Sequence, residues 1–453
     1  MNMFGSSVSS EYPEEERQLV EAMEKKKVGG LFNEGNTCFM NSVIQSFTSL
    51  EYLREYVKDE EKKNDVCVVL KRMMEKLDEK KDIRHCYSIH DLIKSMEEKS
   101  QLRWSGYDQE DAQEFFQQML TALEGDKKEE QDKEKESDEE KKNIESQLLT
   151  PFDGVCGMRV GCLKCGEMEG IRKGVISSLD LSVSNFNQSA FGGFFQTSKP
   201  LQLEELLAEY CKMEIIPGVE CYRCSLNGML IEVQRKAEES TSDQIKDIFN
   251  ARAKELQEAL DTNVIDEKDY KKLRPNNIKV KSDKSKQTML GSPTNPILMI
   301  HINRSVFDIH TGYTRKNHTP VKFPLILDMG PYIVDVKDEE SNRDVHVSMQ
   351  PSENEKSLYQ LRAAIVHIGS HNFGHYECYR RCNQGFWWKI SDENVSLAKE
   401  SQVLGAQGAF MLFYEKIPPS VIASATADPL TAATATATTK ELHHDEGQDI
   451  TDM

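Results

Sequence analysis

Apolar positions along the chain change period several times, and each change marks an element. From Phe39 they fall at Met40, Val43, Ile44, Phe47 and Leu50. That spacing lines one helical face, with Asn36 or Thr37 placed to cap it. Ala112, Phe115, Phe116, Met119 and Leu120 repeat it and predict a helix over 109–123. Short alternating runs at 155–160 and 175–181 predict strands. From Pro296 the texture turns to β, with apolar runs at 297–302, 359–368, 377–381, 387–390 and 409–414. The fold class is therefore α+β, helices first and strands last.

Polar stretches divide these elements. Residues 1–27 read as a flexible tail, and 124–148, dominated by Glu, Asp and Lys, as a solvated insert. Residues 225–290 are Lys/Glu-rich and read as an inserted arm. Within them Ile245, Ile248, Phe249, Ala253, Leu256 and Leu260 form one amphipathic helix. Residues 417–453 are Ala/Thr/Ser-rich, end in acidic residues and read as a low-complexity tail. One domain then spans 28–416.

Composition narrows the partners. The formal net charge of −19 argues against nucleic acid, which basic clusters bind, and suits a basic protein partner. The first 27 residues hold no apolar leader core, and no run of about 18 apolar residues predicts a transmembrane segment. The expected location is cytoplasmic, with nuclear or mitochondrial-surface association as the alternatives. In a reducing compartment the eleven cysteines read as metal ligands or catalytic groups rather than disulfides.

Three segments carry candidate chemistry. Cys38 opens the first predicted helix, where unpaired N–H groups and the dipole favour the thiolate. Asn33, five residues upstream, can aim its amide at the same point as an oxyanion donor. From this segment alone, a buried core cysteine explains Cys38 equally well. His375 follows a glycine at the start of an apolar strand, the presentation that a Cys–His pair requires of its base. Ser391, Asp392, Glu393 and Asn394 end a strand and either orient that imidazole or form a plain turn. Separately, Cys162/Cys165 and Cys221/Cys224 are two Cys-x-x-Cys knuckles suited to a tetrahedral Zn²⁺.

Together these segments resemble the ubiquitin-specific proteases, papain-like cysteine proteases. Residues 30–42, Gly-Leu-Phe-Asn-Glu-Gly-Asn-Thr-Cys-Phe-Met-Asn-Ser, look like the family's cysteine box. Gln-Glu-Asp-Ala-Gln-Glu-Phe-Phe at 109–116 looks like its second box. The strand 295–304 ending at Arg304 looks like a third, and Gly374-His375-Tyr376 with 387–395 and 409–414 look like the histidine box. The resemblance implies a helical thumb bearing Cys38, a β palm bearing His375, and β fingers holding structural zinc on Cys162, Cys165, Cys221 and Cys224. It implies hydrolysis of the (iso)peptide bond after ubiquitin's C-terminal glycine, with no organic cofactor. Gln109, Asp111 and Tyr376 would line the channel for ubiquitin's tail, Asp111 facing a guanidinium.

One position departs from the family pattern. Ser391 stands where Asp or Asn is usual; its hydroxyl can accept from the imidazole N–H and hold its tautomer, and Asp392, next along, can supply the charge, so the third catalytic residue is either Ser391 or Asp392. A serine there resembles the subgroup at the mitochondrial outer membrane, whose membrane anchor has no counterpart here. The rival reading is a catalytically weak or dead ubiquitin-binding scaffold of the same fold. The arm at 225–290 is the expected surface for an adaptor.

Overall fold

A computed structural model describes residues 14–421, except 101–110, 126–143, 185–198, 274–278, 335–348, 352–356 and positions 169, 263–264, 266, 310, 350, 372 and 383. Gln109, residues 126–143 of the 124–148 insert and most of the C-terminal tail therefore lie outside the described residues, while Ile144 and Leu148 pack against a core that includes Val155 and Met289, so the solvated insert ends before them.

The chain begins with helices: α1 (Glu14–Lys25), α2 (Cys38–Phe47), α3 (Glu51–Glu60), α4 (Asp65–Asp78), α5 (His90–Ser100) and α6 (Ala112–Glu124). Short strands β1 (Gly30–Leu31) and β2 (Cys86–Tyr87) pair in parallel among them. Next come β3 (Gly154–Cys162), β4 (Arg172–Ile176), β5 (Leu179–Ser182), β6 (Leu201–Gln202), α7 (Leu203–Tyr210) and β7 (Glu214–Glu220). Three helices follow: α8 (Tyr222–Glu239), α9 (Asp243–Leu260) and α10 (Glu267–Lys272). The rest is mainly β: β8 (Lys281–Gly291), β9 (Ile297–Asn303), β10 (Ser305–Asp308), β11 (Tyr313–Lys316), β12 (Val321–Lys322), β13 (Ile326–Asp328) and β14 (Ile333–Val334). The chain closes with β15 (Leu358–Gly369), β16 (Gly374–Arg381), β17 (Trp387–Ser391), β18 (Asn394–Ala398), α11 (Glu400–Leu404) and β19 (Ala409–Lys416).

The larger sheet, the palm, runs β18-β17-β16-β15-β19-β9-β5, with β13 also on β15. Its strands alternate between two cores, with register shifts in the β15–β19 pair at Leu361/Ala363 and Ile365/Val366. Met299, Ala363, Ile365, Met411 and Phe413 pack against the helices, while Ile300, Ala364, Val366, Leu412 and Tyr414 fill a second core on the opposite face. Helix α2 lies wholly inside the helix–sheet layer, every residue buried. Phe47 meets Phe116, Phe152 and Phe413 at ring separations of 6.1, 5.6 and 6.1 Å. Two polar ties lock helices to palm. Buried Arg380 on β16 grips Asp78 at 3.0 Å and the Leu77 carbonyl at 2.9 Å, and Glu415 on β19 accepts from Tyr52 N–H and Arg362. The smaller sheet, the fingers, runs β14-β8-β3-β4 with β7 on β8.

Two boundaries differ from expectation. Part of the supposed tail is α1, whose Met23 packs with Val28 against Trp388 and Ile390 of β17. Val20 and Met23 supply only one apolar turn, so surrounding charge hides the signal. The arm starts inside the second knuckle, at Tyr222, and its helices end at Lys272. Residues 281–290 belong to β8, the central finger strand, which pairs with β3 and β7. In α9, Leu256 is buried but Ile245 and Ile248 stay 47% and 68% exposed, so the expected apolar face is only partly covered. No helix among the described residues is long and apolar enough to cross a membrane.

Candidate active site and metal centre

The site forms where the buried N-terminus of α2 meets the start of β16 and the end of β17 in the palm. Cys38 is the first residue of α2 and 4% exposed. The Tyr376 backbone N–H, one residue past His375, hydrogen-bonds its sulfur. Burial raises the thiol's pKa, the nearby Asp392 carboxylate adds to that, and the N–H groups of Tyr376, Phe39 and Cys38 lower it without prevailing. The helix terminus thus acts in the expected direction, but burial outweighs it, and the resting group is a thiol.

His375 is the second residue of β16, and its Nε2 lies 2.8 Å from Ser391 Oγ at the end of β17. A hydroxyl on Nε2 leaves Nδ1 free for the thiol proton. Asp392 does not serve the imidazole as expected. Held at φ 50°, its carboxylate accepts from Asn33 Nδ2 at 2.9 Å and Asn41 Nδ2 at 2.8 Å, and its carbonyl accepts from Leu31 N–H. Gly30 makes this approach possible, since a Cβ there would lie 3.0 Å from the Asp392 carbonyl oxygen.

Asn33 is thereby fixed in one amide orientation. Its Oδ1 accepts from Thr37 N–H at 3.2 Å and Thr37 Oγ1 at 3.4 Å, while one Nδ2 hydrogen goes to Asp392. The second Nδ2 hydrogen remains for a ligand in the cleft, where Asn33 is exposed. Asn41 is a second partner of Asp392 that the sequence did not single out. It sits on a fully buried helix and also donates to the Phe32 carbonyl. The available signal was an amide inside an apolar run.

Asp111 caps α6, accepting from Gln113 N–H at 2.9 Å, and is exposed, so the plain helix-cap role is present. Tyr376 is buried, its ring stacked on His367 at 4.5 Å and edge-on to Phe410. Its hydroxyl accepts from Ala112 N–H at the start of α6; burial and then the Asp111 charge raise its pKa.

The four knuckle cysteines converge, with all sulfurs within 4.8 Å of one another. Cys162–Cys224 and Cys165–Cys221 are 3.8 and 3.7 Å apart. Four thiolates about 2.3 Å from a tetrahedral metal would be about 3.8 Å apart, so the geometry fits one ion. Burial opposes ionisation of Cys162, but Ser282 Oγ and the Cys165 and Lys164 N–H groups bring its thiol down to about 6. Cys221 caps α8, and its knuckle neighbour Arg223 donates to Leu260 O and Thr262 O at the end of α9.

A profile described as ubiquitin carboxyl-terminal hydrolase matches residues 29–414. The chain belongs to the ubiquitin carboxyl-terminal hydrolase family. That makes it a cysteine-type deubiquitinase, as the cysteine and histidine boxes implied. It is 26% identical to ubiquitin carboxyl-terminal hydrolase 1 of Saccharomyces cerevisiae, over 86% of this chain and 79% of that protein. It is 23% identical to ubiquitin carboxyl-terminal hydrolase 30 of Danio rerio, over 87% of this chain and 86% of that protein. Among solved structures, the SAGA Ubp8/Sgf11/Sus1/Sgf73 DUB module bound to ubiquitin aldehyde aligns with a TM-score of 0.55 at 19% identity. That alignment covers 87% of this chain and 71% of the other, and it establishes the shared fold.

Proposed function

We propose that Cys38 is the nucleophile that cleaves the (iso)peptide bond at ubiquitin's C-terminal glycine, with His375 as its base. The observation carrying this reading is the convergence of α2, β16 and β17. The strand amide beside His375 lies on the Cys38 sulfur, and Ser391 holds the far imidazole nitrogen. His375 takes the thiol proton as sulfur adds to the glycine carbonyl carbon, then returns it to the departing amine as the C–N bond breaks. Water, deprotonated by the same imidazole, hydrolyses the thioester. Asn33 donates its remaining N–H to the oxyanion, and Asp392 holds Asn33 rather than His375. Asp111, with Gln109, receives the ubiquitin tail.

The metal is Zn²⁺, one per chain, because four thiolates at tetrahedral spacing suit that ion. The protein works in the cytoplasm, a reading supported by eleven free cysteines. The helical arm receives an adaptor, a reading supported by exposed Ile231, Ile245 and Ile248.

The test is ubiquitin bearing a C-terminal electrophile. Intact-mass and peptide analysis should show one adduct, on Cys38, lost in Cys38→Ala and in His375→Ala. An adduct on another cysteine refutes the assignment. The same experiment tests the rival reading, a ubiquitin-binding scaffold with weak turnover. Ubiquitin binding without adduct or turnover would select it.

A further inference from the structure

Lys316 is a partly buried cation with an unusual set of partners. It is the last residue of β11, in the β10–β11 ribbon, which pairs with neither the palm nor the fingers. Its ammonium contacts three acceptors on β15: the His367 carbonyl at 2.8 Å, the Gly369 carbonyl at 3.1 Å and His367 Nδ1 at 3.0 Å. Among the described residues no carboxylate pairs with it. With His367 Nδ1 unprotonated, three ammonium N–H donors meet three acceptors, an arrangement that suits a protonated lysine.

The position of those acceptors matters. In the β15–β16 register, Ile368 faces His375, and His367 and Gly369 flank Ile368. Beyond Gly369 the chain turns tightly, closed by Ser370 N–H on the Phe373 carbonyl at 2.8 Å, and re-enters at Gly374. Gly374 leaves no room for slack, since a Cβ there would lie 2.1 Å from His367 Nε2. Lys316 therefore grips the strand opposite His375 at both sides of its partner. His367 in turn stacks on Tyr376, whose N–H holds the Cys38 sulfur.

We propose that protonated Lys316 is a positioning residue for His375, clamping the β10–β11 ribbon to the strand and turn that present the imidazole to Cys38. The proposal rests on the reading of Cys38 and His375 given above. The groups around the ammonium are Arg304 after β9, His318 beyond β11 and His367 on β15, with His371 acting on His367. Burial, with Arg304 behind it, brings Lys316 down to about 8. Arg304 is itself engaged by the carbonyls of Ala409, Asn317 and Thr319. Raising the pH through that range removes one donor from the clamp.

The experiment compares wild type, Lys316→Met and Lys316→Arg by two readouts. Hydrogen exchange over 367–376, independent of activity, should accelerate about tenfold or more in Lys316→Met and stay near wild type in Lys316→Arg. Cleavage of a ubiquitin–fluorophore should fall tenfold to a hundredfold in kcat/KM for Lys316→Met, roughly the cost of a misplaced catalytic group. The wild-type rate should drop above about pH 8, and Lys316→Arg, whose guanidinium stays charged, should carry activity further into alkali. Unchanged exchange in Lys316→Met overturns the clamp whether or not the enzyme turns over. Identical alkaline profiles for wild type and Lys316→Arg overturn the role of the charge. Absence of any Cys38 adduct in wild type is a separate result, which counts against the active-site reading and leaves the exchange test standing.

Discussion

Cys38 and Cys221 occupy nearly the same local setting and face opposite fates. Cys38 opens α2, and Cys221 caps α8 with its sulfur on the Cys224 N–H. Each thiol sits at the positive end of a helix. What differs is the company. Beside Cys38 stand a backbone N–H from the histidine strand and the Asp392 carboxylate. Beside Cys221 stand three more thiols, one of them, Cys162, already inclined to ionise. On the proposed reading, one sulfur loses its proton to a base during a reaction and the other loses it permanently to a metal. A helix N-terminus thus selects thiolate chemistry only in outline, and its neighbours decide which kind.

The comparison breaks most sharply at the two cysteines themselves. Cys38→Ser should lower turnover on the order of a thousandfold or more while metal content and melting temperature stay put. Cys221→Ser should do the converse to the structure. Elemental analysis should fall from one zinc per chain to none, and hydrogen exchange should rise through α8 and α9. Those helices are anchored on the knuckle by Arg223 and by Leu226 and Leu256 in a shared core, and Tyr222 stacked on Tyr270 at 4.3 Å ties α8 to α10. Metal retained in Cys221→Ser would refute the four-cysteine centre.

A smaller effect sharpens the catalytic side. Asp392→Ala should cost more than Ser391→Ala, because it frees both Asn33 and Asn41 from charge-assisted bonds. A loss of about tenfold to a hundredfold in kcat/KM is expected for Asp392→Ala. Ser391→Ala removes one neutral bond, about 1 kcal/mol or roughly fivefold. Steady-state kinetics showing the reverse order would refute the larger contribution assigned to the Asp392 ties on Asn33 and Asn41. Smallest of all, deleting 126–143 together with 422–453 should leave cleavage of a simple ubiquitin substrate within about twofold, since neither stretch has the apolar residues a core requires.

By itself the amino-acid sequence determined the elements with strong periodicity and the chemistry written in short motifs. Helix α2 lies over its apolar run, α6 begins at Ala112 within its predicted span, and the palm strands follow their alternation. Cys38, His375, Asn33 and the two knuckles could be named because each motif keeps its reactive group at a fixed offset from a helix or strand end. Other features depended on long-range contacts. Helix α1 is held by Trp388 and Ile390, more than 360 positions away, and its charged surface conceals that face. Only burial within the assembled core decided that Cys38 rests as a thiol. The partner of Asp392 was likewise set in space. Residues 33 and 41 reach it through the fold, and a side chain's nearest charge cannot be deduced from its position in the chain. The same holds for Lys316, an ordinary polar residue at the end of a short strand until β15 arrives beside it.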